Sequence, residues 1–172
     1  MARNYISDLG MLRCDQTACS SLHWLMNGSF VLQGVLIFSG ALLLRSLLPR
    51  SLWVFFALAG SGVLVVGLAP EGTVISLHLL GAAVNFFAGN LGMVILGSLM
   101  MLQANRSQGL ITLVAGVMGL AGTLAIAFSF SPSWAGQGWD AGTVERLAAY
   151  PLPLWLTLTG GMILCKKQGL SG

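Results

Sequence analysis

Residues Val74 to Met101 read VISLHLLGAAVNFFAGNLGMVILGSLMM, twenty-eight residues without Asp, Glu, Lys or Arg. An α-helix rises ~1.5 Å per residue, so this stretch exceeds the ~20 residues that span a hydrocarbon core of ~30 Å. It lacks the strict alternation of a barrel strand, which leaves the helix as the spanning option. Within it His78, Gly81, Asn85, Ala88 and Gly92 follow a 3-4-3-4 spacing that keeps them on one helix face. The small members of this seam let another helix approach closely. Asn85 lies roughly 10 Å deeper than His78, and polar groups at such depth are costly unless paired. The functional reading of the seam is a polar cavity. The plain alternative is hydrogen bonding between helices that fixes the bundle.

Working outward, charges divide the chain into five such stretches, at about 24–44, 51–69, 74–101, 109–130 and 143–165. The spacing predicts an all-α integral membrane protein, a bundle of five transmembrane helices in one domain over residues 1–172. Composition agrees: 56% of the residues are hydrophobic and 8% charged, against about 25% charged in soluble domains. The 23 glycines suit closely packed membrane helices. Thr112, Ala115, Gly116, Gly119, Gly122 and Thr123 form a small-residue stripe on the fourth stretch, read as packing within the chain rather than a dimer contact. Tyr150, Pro151, Pro153 and Trp155 open or kink the fifth. No run of Lys and Arg suggests nucleic acid. Met1 to Gly28 lacks the apolar segment of a signal peptide.

The charges are asymmetric. Arg45 and Arg50 stand in the first connection, Arg106 in the third, Lys166 and Lys167 at the end. Asp8, Asp15, Glu71, Asp140 and Glu145 fall in the other segments, with Arg3, Arg13 and Arg146. The positive-inside rule then places the C-terminus in the cytoplasm and residues 1–23 outside the cell (plasma) membrane. Cys14 and Cys19 lie in that exported segment, where a short loop can close as a disulfide. Cys165 is expected to stay a free thiol.

A set of short blocks occurs in order along the chain: Asn4-Tyr5-Ile6-Ser7-Asp8-Leu9-Gly10, then Cys14 and Cys19, Ser21-Leu22-His23, Met26-Asn27-Gly28-Ser29-Phe30, Ile75-Ser76-Leu77-His78-Leu79-Leu80-Gly81, Asn85-Phe86-Phe87, Glu145-Arg146-Leu147 and Tyr150-Pro151. Together they resemble the bacterial and archaeal membrane family called domain of unknown function, number 998. The resemblance implies about six helices and no established activity. It also implies a helix ahead of the Asn4 block, which this sequence lacks. A start codon placed too far downstream is the preferred account of that departure, and of an exported segment with no helix to lead it; a true five-helix variant is the alternative.

Asp8, His23, Asn27, His78, Asn85, Glu145 and Arg146 are the candidate site residues, a polar cleft at the outer end of the bundle. His78 is expected to be buried and bonded to a group on the first span or the last helix. Glu145 and Arg146 are adjacent, so they point in different directions and need separate partners. His23, His78 and a carboxylate could in principle ligate zinc, but the H-x-x-x-H spacing is absent, and no metal or cofactor is assigned. The favoured function is a binding or structural module whose cleft receives a lipid, a hydrophobic small molecule or a membrane-protein partner. An intramembrane metal-dependent hydrolase or lipid-modifying enzyme is the alternative. A transporter is less favoured, because no acid lies deep in a span and no internal repeat is evident.

Overall fold

Each of the five uncharged stretches becomes helical, and turn-forming or charged residues supply the connections. The computed structural model describes residues 4–12, 20–49, 51–103, 106–129 and 140–169. A short 3-10 turn, Ser7–Gly10, precedes α1 (His23–Leu43), α2 (Leu52–Leu68), α3 (Ile75–Leu102), α4 (Arg106–Ser129), α5 (Ala141–Ala149) and α6 (Pro151–Gly169). Among the described residues there is no strand. His23–Leu43, Ile75–Leu102, Arg106–Phe128 and Ala141–Cys165 are long and apolar enough to cross a membrane, and Leu52–Leu68 is a shorter apolar helix. The chain is an all-α multi-pass membrane bundle. Cys14 and Cys19 lie outside the described residues; Cys165 is a free, exposed thiol.

The stretch at 143–165 is two helices rather than one. The break falls at Tyr150, followed by Pro151 and Pro153. Proline has no backbone N–H, so the carbonyls of Leu147 and Ala149, four residues earlier, lose their usual helical donors.

The helices pack in chain order, α1 on α2, α2 on α3, α3 on α4 and α4 on α5. Glycine makes these contacts close. A Cβ on Gly60 would stand 2.6 Å from the Phe38 amide of α1, and one on Gly62 would stand 2.6 Å from the Asn85 amide of α3. Side chains at those positions would push the backbones apart. The polar seam of α3 therefore faces α2: His78, Gly81, Asn85, Ala88 and Gly92 are all buried, and Gly81 lies against Gly62 and Val65. On α4, Gly116 and Gly119 meet α3 at Val94 and Asn90, and Gly122 meets α5 at Leu147 and Ala148. The stripe is thus used inside the chain. Apolar side chains fill the centre, among them Phe56, Ala59, Val63, Ala88, Met93 and Leu152. Phe56 stacks on Trp155 of α6, ring centroids 6.2 Å apart. The outward faces of α1, α4 and α6 carry exposed Leu, Ile, Val and Met, a surface suited to hydrocarbon rather than water.

Candidate functional site

The block Asn4 to Gly10 forms a cap over one end of the bundle, and its residue types explain how. Asp8 Oδ2 accepts from the Tyr5 amide at 2.9 Å, a local bond of the kind short acidic side chains make in turns. Ile6 is buried, and its amide donates to Glu145 Oε2 of α5. Arg146 Nη1 donates to the Asn4 carbonyl at 3.3 Å. Asn27 Nδ2 of α1 donates to the Gly10 carbonyl at 2.8 Å. A Cβ on Gly10 would collide with the Asn27 amide, so glycine permits this approach. Tyr5 sits among acids. Burial pushes its hydroxyl above the usual tyrosine value, and Glu145, Glu71 and Asp8 add to the effect. The cap is therefore held to α1 and α5 by backbone and side-chain bonds that only a folded bundle brings together.

Beneath the cap lies a cavity of about 180 Å³ between α1, α2, α3, α5 and α6. That is room for roughly six waters at ~30 Å³ each. Its polar lining includes Ser7 from the cap, Ser29 and Gln33 from α1, His78 and Asn85 from α3, and Glu145 from α5. Val63, Val66, Phe30 and Phe86 supply apolar walls. His78 is buried, and its Nδ1 lies 2.9 Å from the Ala69 carbonyl. A carbonyl only accepts, so Nδ1 carries the proton in this bond. Ala69 is the C-cap of α2, where carbonyls lack helical donors. The expectation of a partner on the first span or the last helix is corrected: the imidazole closes the end of α2. The Pro70–Thr73 turn carries Gly72 at φ +86 and brings α3 back within reach of α2.

Asn85 and Gln33 differ from His78. Asn85 is 9% exposed. Neither side chain makes a hydrogen bond among the described residues. An amide so placed needs a partner from within the cavity, because leaving it unmade is costly.

Of the seven sequence candidates, His78, Asn85 and Glu145 line the cavity. Asp8 and Asn27 secure the cap above it. His23 opens α1 and does not line the cavity; its Nδ1 is buried without a hydrogen-bond partner among the described residues. Arg146 lines a different hollow, on the α4 side of α5. Glu145 and Arg146 do point apart, yet both bond the cap, at Ile6 and Asn4. Among the described residues no three of His, Cys, Asp and Glu are grouped to hold a metal ion.

Sequence reasoning passed over Gln33 and Asn90. Met26, Ser29, Phe30 and Gln33 all line the cavity at helical spacing, and a glutamine inside a span is itself a signal. Asn90 is 1% exposed. Its Nδ2 donates to the Phe86 carbonyl at 2.8 Å and to the Ala148 carbonyl at 2.9 Å. It thus ties α3 to α5 beside the proline break. A second tie joins α6 to α4, from Trp155 Nε1 to Thr112 Oγ1 at 2.7 Å.

The chain matches, over residues 1–162, the model of the family described as Protein of unknown function (DUF998), and it belongs to that family. No curated protein and no solved structure matches it.

Proposed function

We propose that this member of the DUF998 family is a binding protein of the membrane, and that its capped cavity receives the polar part of a lipid or another amphipathic molecule. The observation that carries the reading is the pair of amides, Asn85 and Gln33, facing one cavity with His78 and Glu145 and bonded to no protein group among the described residues. Other buried polar side chains are bonded to the backbone, whether in the cavity wall or away from it: His78 to Ala69, Asn27 to Gly10, Asn90 to Ala148. At about 180 Å³ the cavity is smaller than the ~300–1,000 Å³ of sites that enclose whole drug-sized ligands. A head group or a small polar molecule suits it. The acidic distribution supports an extracytoplasmic position for the capped end, and the basic connections support a cytoplasmic position for the other.

The test is mass spectrometry of small molecules released from the purified chain, comparing the parent protein with Asn85→Leu. The expected result is a specific molecule present in stoichiometric amount in the parent and reduced about tenfold in the variant, the effect of ~1.4 kcal/mol, with the melting temperature little changed. A parent that releases nothing beyond bulk lipid, or a variant that loses stability and keeps its ligand, refutes the reading.

A further inference from the structure

The space between the helices does not end at the capped cavity. α1 packs on α2, and α6 packs on α4 with smaller contacts to α3 and α5, but α1 and α6 are not a packed pair among the described residues. Hollows occupy the seam between them. The capped cavity takes Ser29 and Gln33 of α1 and Pro153 of α6. About one helical turn further along both helices begins a second hollow of about 260 Å³, lined by Ile37, Gly40 and Leu44 on one side and by Leu156 on the other. Ser29, Gln33, Ile37, Gly40 and Leu44 follow one another at steps of three or four residues, so one face of α1 lines both hollows. The stacked rings of Phe56 and Trp155 form the floor of the second. No charged residue lines it, and the Trp155 indole nitrogen is already bonded to Thr112. Leu36 and Leu156 in its lining are 61% and 36% exposed, so it opens sideways between α1 and α6.

We propose that the two hollows form one site for a neutral, single-chain amphipath, with a hydroxyl-bearing head group under the cap and its hydrocarbon chain in the α1–α6 seam. A monoacylglycerol has this chemistry. The inference rests on the reading of the capped cavity as a site for the polar part of a ligand, and it extends that reading to the rest of the molecule. The polar end decides what occupies the seam. Asn85, 9% exposed, and Gln33 face the cavity with no hydrogen bond among the described residues. Each primary amide asks for donors and acceptors at once, and hydroxyls supply both. A phosphate diester supplies acceptors only, and no Lys or Arg lines the cavity to receive it. The acid in the lining, Glu145, is bonded to the Ile6 amide and to Ser7, so it calls for no ammonium. The tail follows from the walls. The seams of α1 with α2 and of α2 with α3 are closed by backbone contacts at Gly34, Gly60 and Gly62, which leaves the α1–α6 seam as the path for one chain. At about 180 and 260 Å³ each hollow falls short of the ~300–1,000 Å³ of sites that enclose a whole ligand, and only the two together reach it. From Ser29 to Leu44 the helical rise is ~22 Å, so head and tail fit within a ~30 Å core.

The test uses the full chain in phosphatidylcholine nanodiscs doped with equal amounts of monoolein, diolein and oleoyl lysophosphatidylglycerol, then released into mild detergent for native mass spectrometry. The expected result is retained monoolein, enriched about tenfold over each of the other two relative to the disc. A Cβ on Gly40 would meet nothing within 4 Å, so Gly40→Leu fills the seam without moving a backbone, and it should lower monoolein retention about tenfold. Gly160→Leu also enters open space but lines neither hollow, and it leaves retention unchanged. Asn85→Leu lowers retention from the polar end. Monoolein kept by Gly40→Leu and lost from Asn85→Leu overturns the seam and leaves the capped cavity standing as a polar site. Lysophosphatidylglycerol retained as well as monoolein overturns the neutral head group, and diolein retained as well overturns the single chain. Retention that neither Asn85→Leu nor Gln33→Leu lowers refutes the head-group placement and the capped-cavity reading with it. A parent that retains none of the three overturns the proposal, and the capped-cavity reading then stands or falls on its own test of co-purifying molecules. Should Asn85→Leu fail to fold, Gln33→Leu in the same cavity wall decides.

Discussion

At the scale of single residues, Asn90 shows how a buried amide can be structural and still invisible in a periodic pattern. It follows Asn85 by five residues, which at ~3.6 residues per turn rotates it off the His78–Asn85 face and toward α4 and α5. There Nδ2 serves the Ala148 carbonyl, one of three consecutive carbonyls at a break where two prolines have removed donors. Its Oδ1 has no hydrogen-bond partner among the described residues and lies against Gly119, where a Cβ would collide with it. Asn90→Leu should destabilise the bundle by about 1–3 kcal/mol, the cost of leaving a buried acceptor unmade. The orphan Oδ1 goes too, which pulls the value toward the low end. Reversible unfolding in mixed micelles measures it, and an unchanged midpoint would show that Ala148 finds another donor. His78 was legible because histidine is rare at that depth and sits on a regular seam. Its partner was not, because the Ala69 carbonyl is a backbone group that any residue could present.

At the scale of helices, glycine placement decides which backbones touch. Gly62 and Gly160 are the same residue type in apolar helices, yet their surroundings are opposite. A Cβ at Gly62 would stand 2.6 Å from the Asn85 amide and the Gly81 carbonyl, whereas one at Gly160 would meet nothing within 4 Å. Gly62→Ala should cost about 1–3 kcal/mol, the usual penalty for overpacking, and should also disturb Asn85 in the cavity wall. Gly160→Ala should be neutral or stabilising by up to ~1 kcal/mol, since alanine loses less backbone freedom on entering a helix. Comparing the two melting curves tests the pair, and equal effects would contradict the close α2–α3 contact. The small-residue seams of α3 and α4 were readable as packing faces. Which helix each one meets was not, because small residues permit an approach without choosing the partner. The prolines after Tyr150 announced a kink, but the close approach of α5 to α4 at Gly122 was decided only by the tertiary structure.

At the scale of the whole molecule, charge predicts an orientation that single-cysteine labelling can read. On a background with Cys14, Cys19 and Cys165 all replaced, a cysteine at position 106 should react with a membrane-impermeant maleimide only after the membrane is opened. One at position 4, in the exposed part of the cap, should react in intact cells. Peptide mapping of the parent chain without reductant should find Cys14 linked to Cys19, as expected of an exported segment. Free reaction at position 106 from outside would reverse the assignment, and unlinked thiols at 14 and 19 would count against export. The sequence by itself determined the bundle, its helical stretches and the segregation of acids and bases. These follow from what hydrocarbon and the insertion machinery demand of each segment alone, one stretch at a time. Tertiary structure decided the rest. It divided the polar candidates, sending His78, Asn85 and Glu145 to one cavity and Arg146 to a groove on the far side of α5. It also folded Asn4 to Gly10 over the bundle end through bonds to residues more than a hundred positions away. Such contacts depend on the rotation and tilt of packed helices, which no single segment encodes. Two neighbours in sequence, Glu145 and Arg146, therefore came to serve two different hollows.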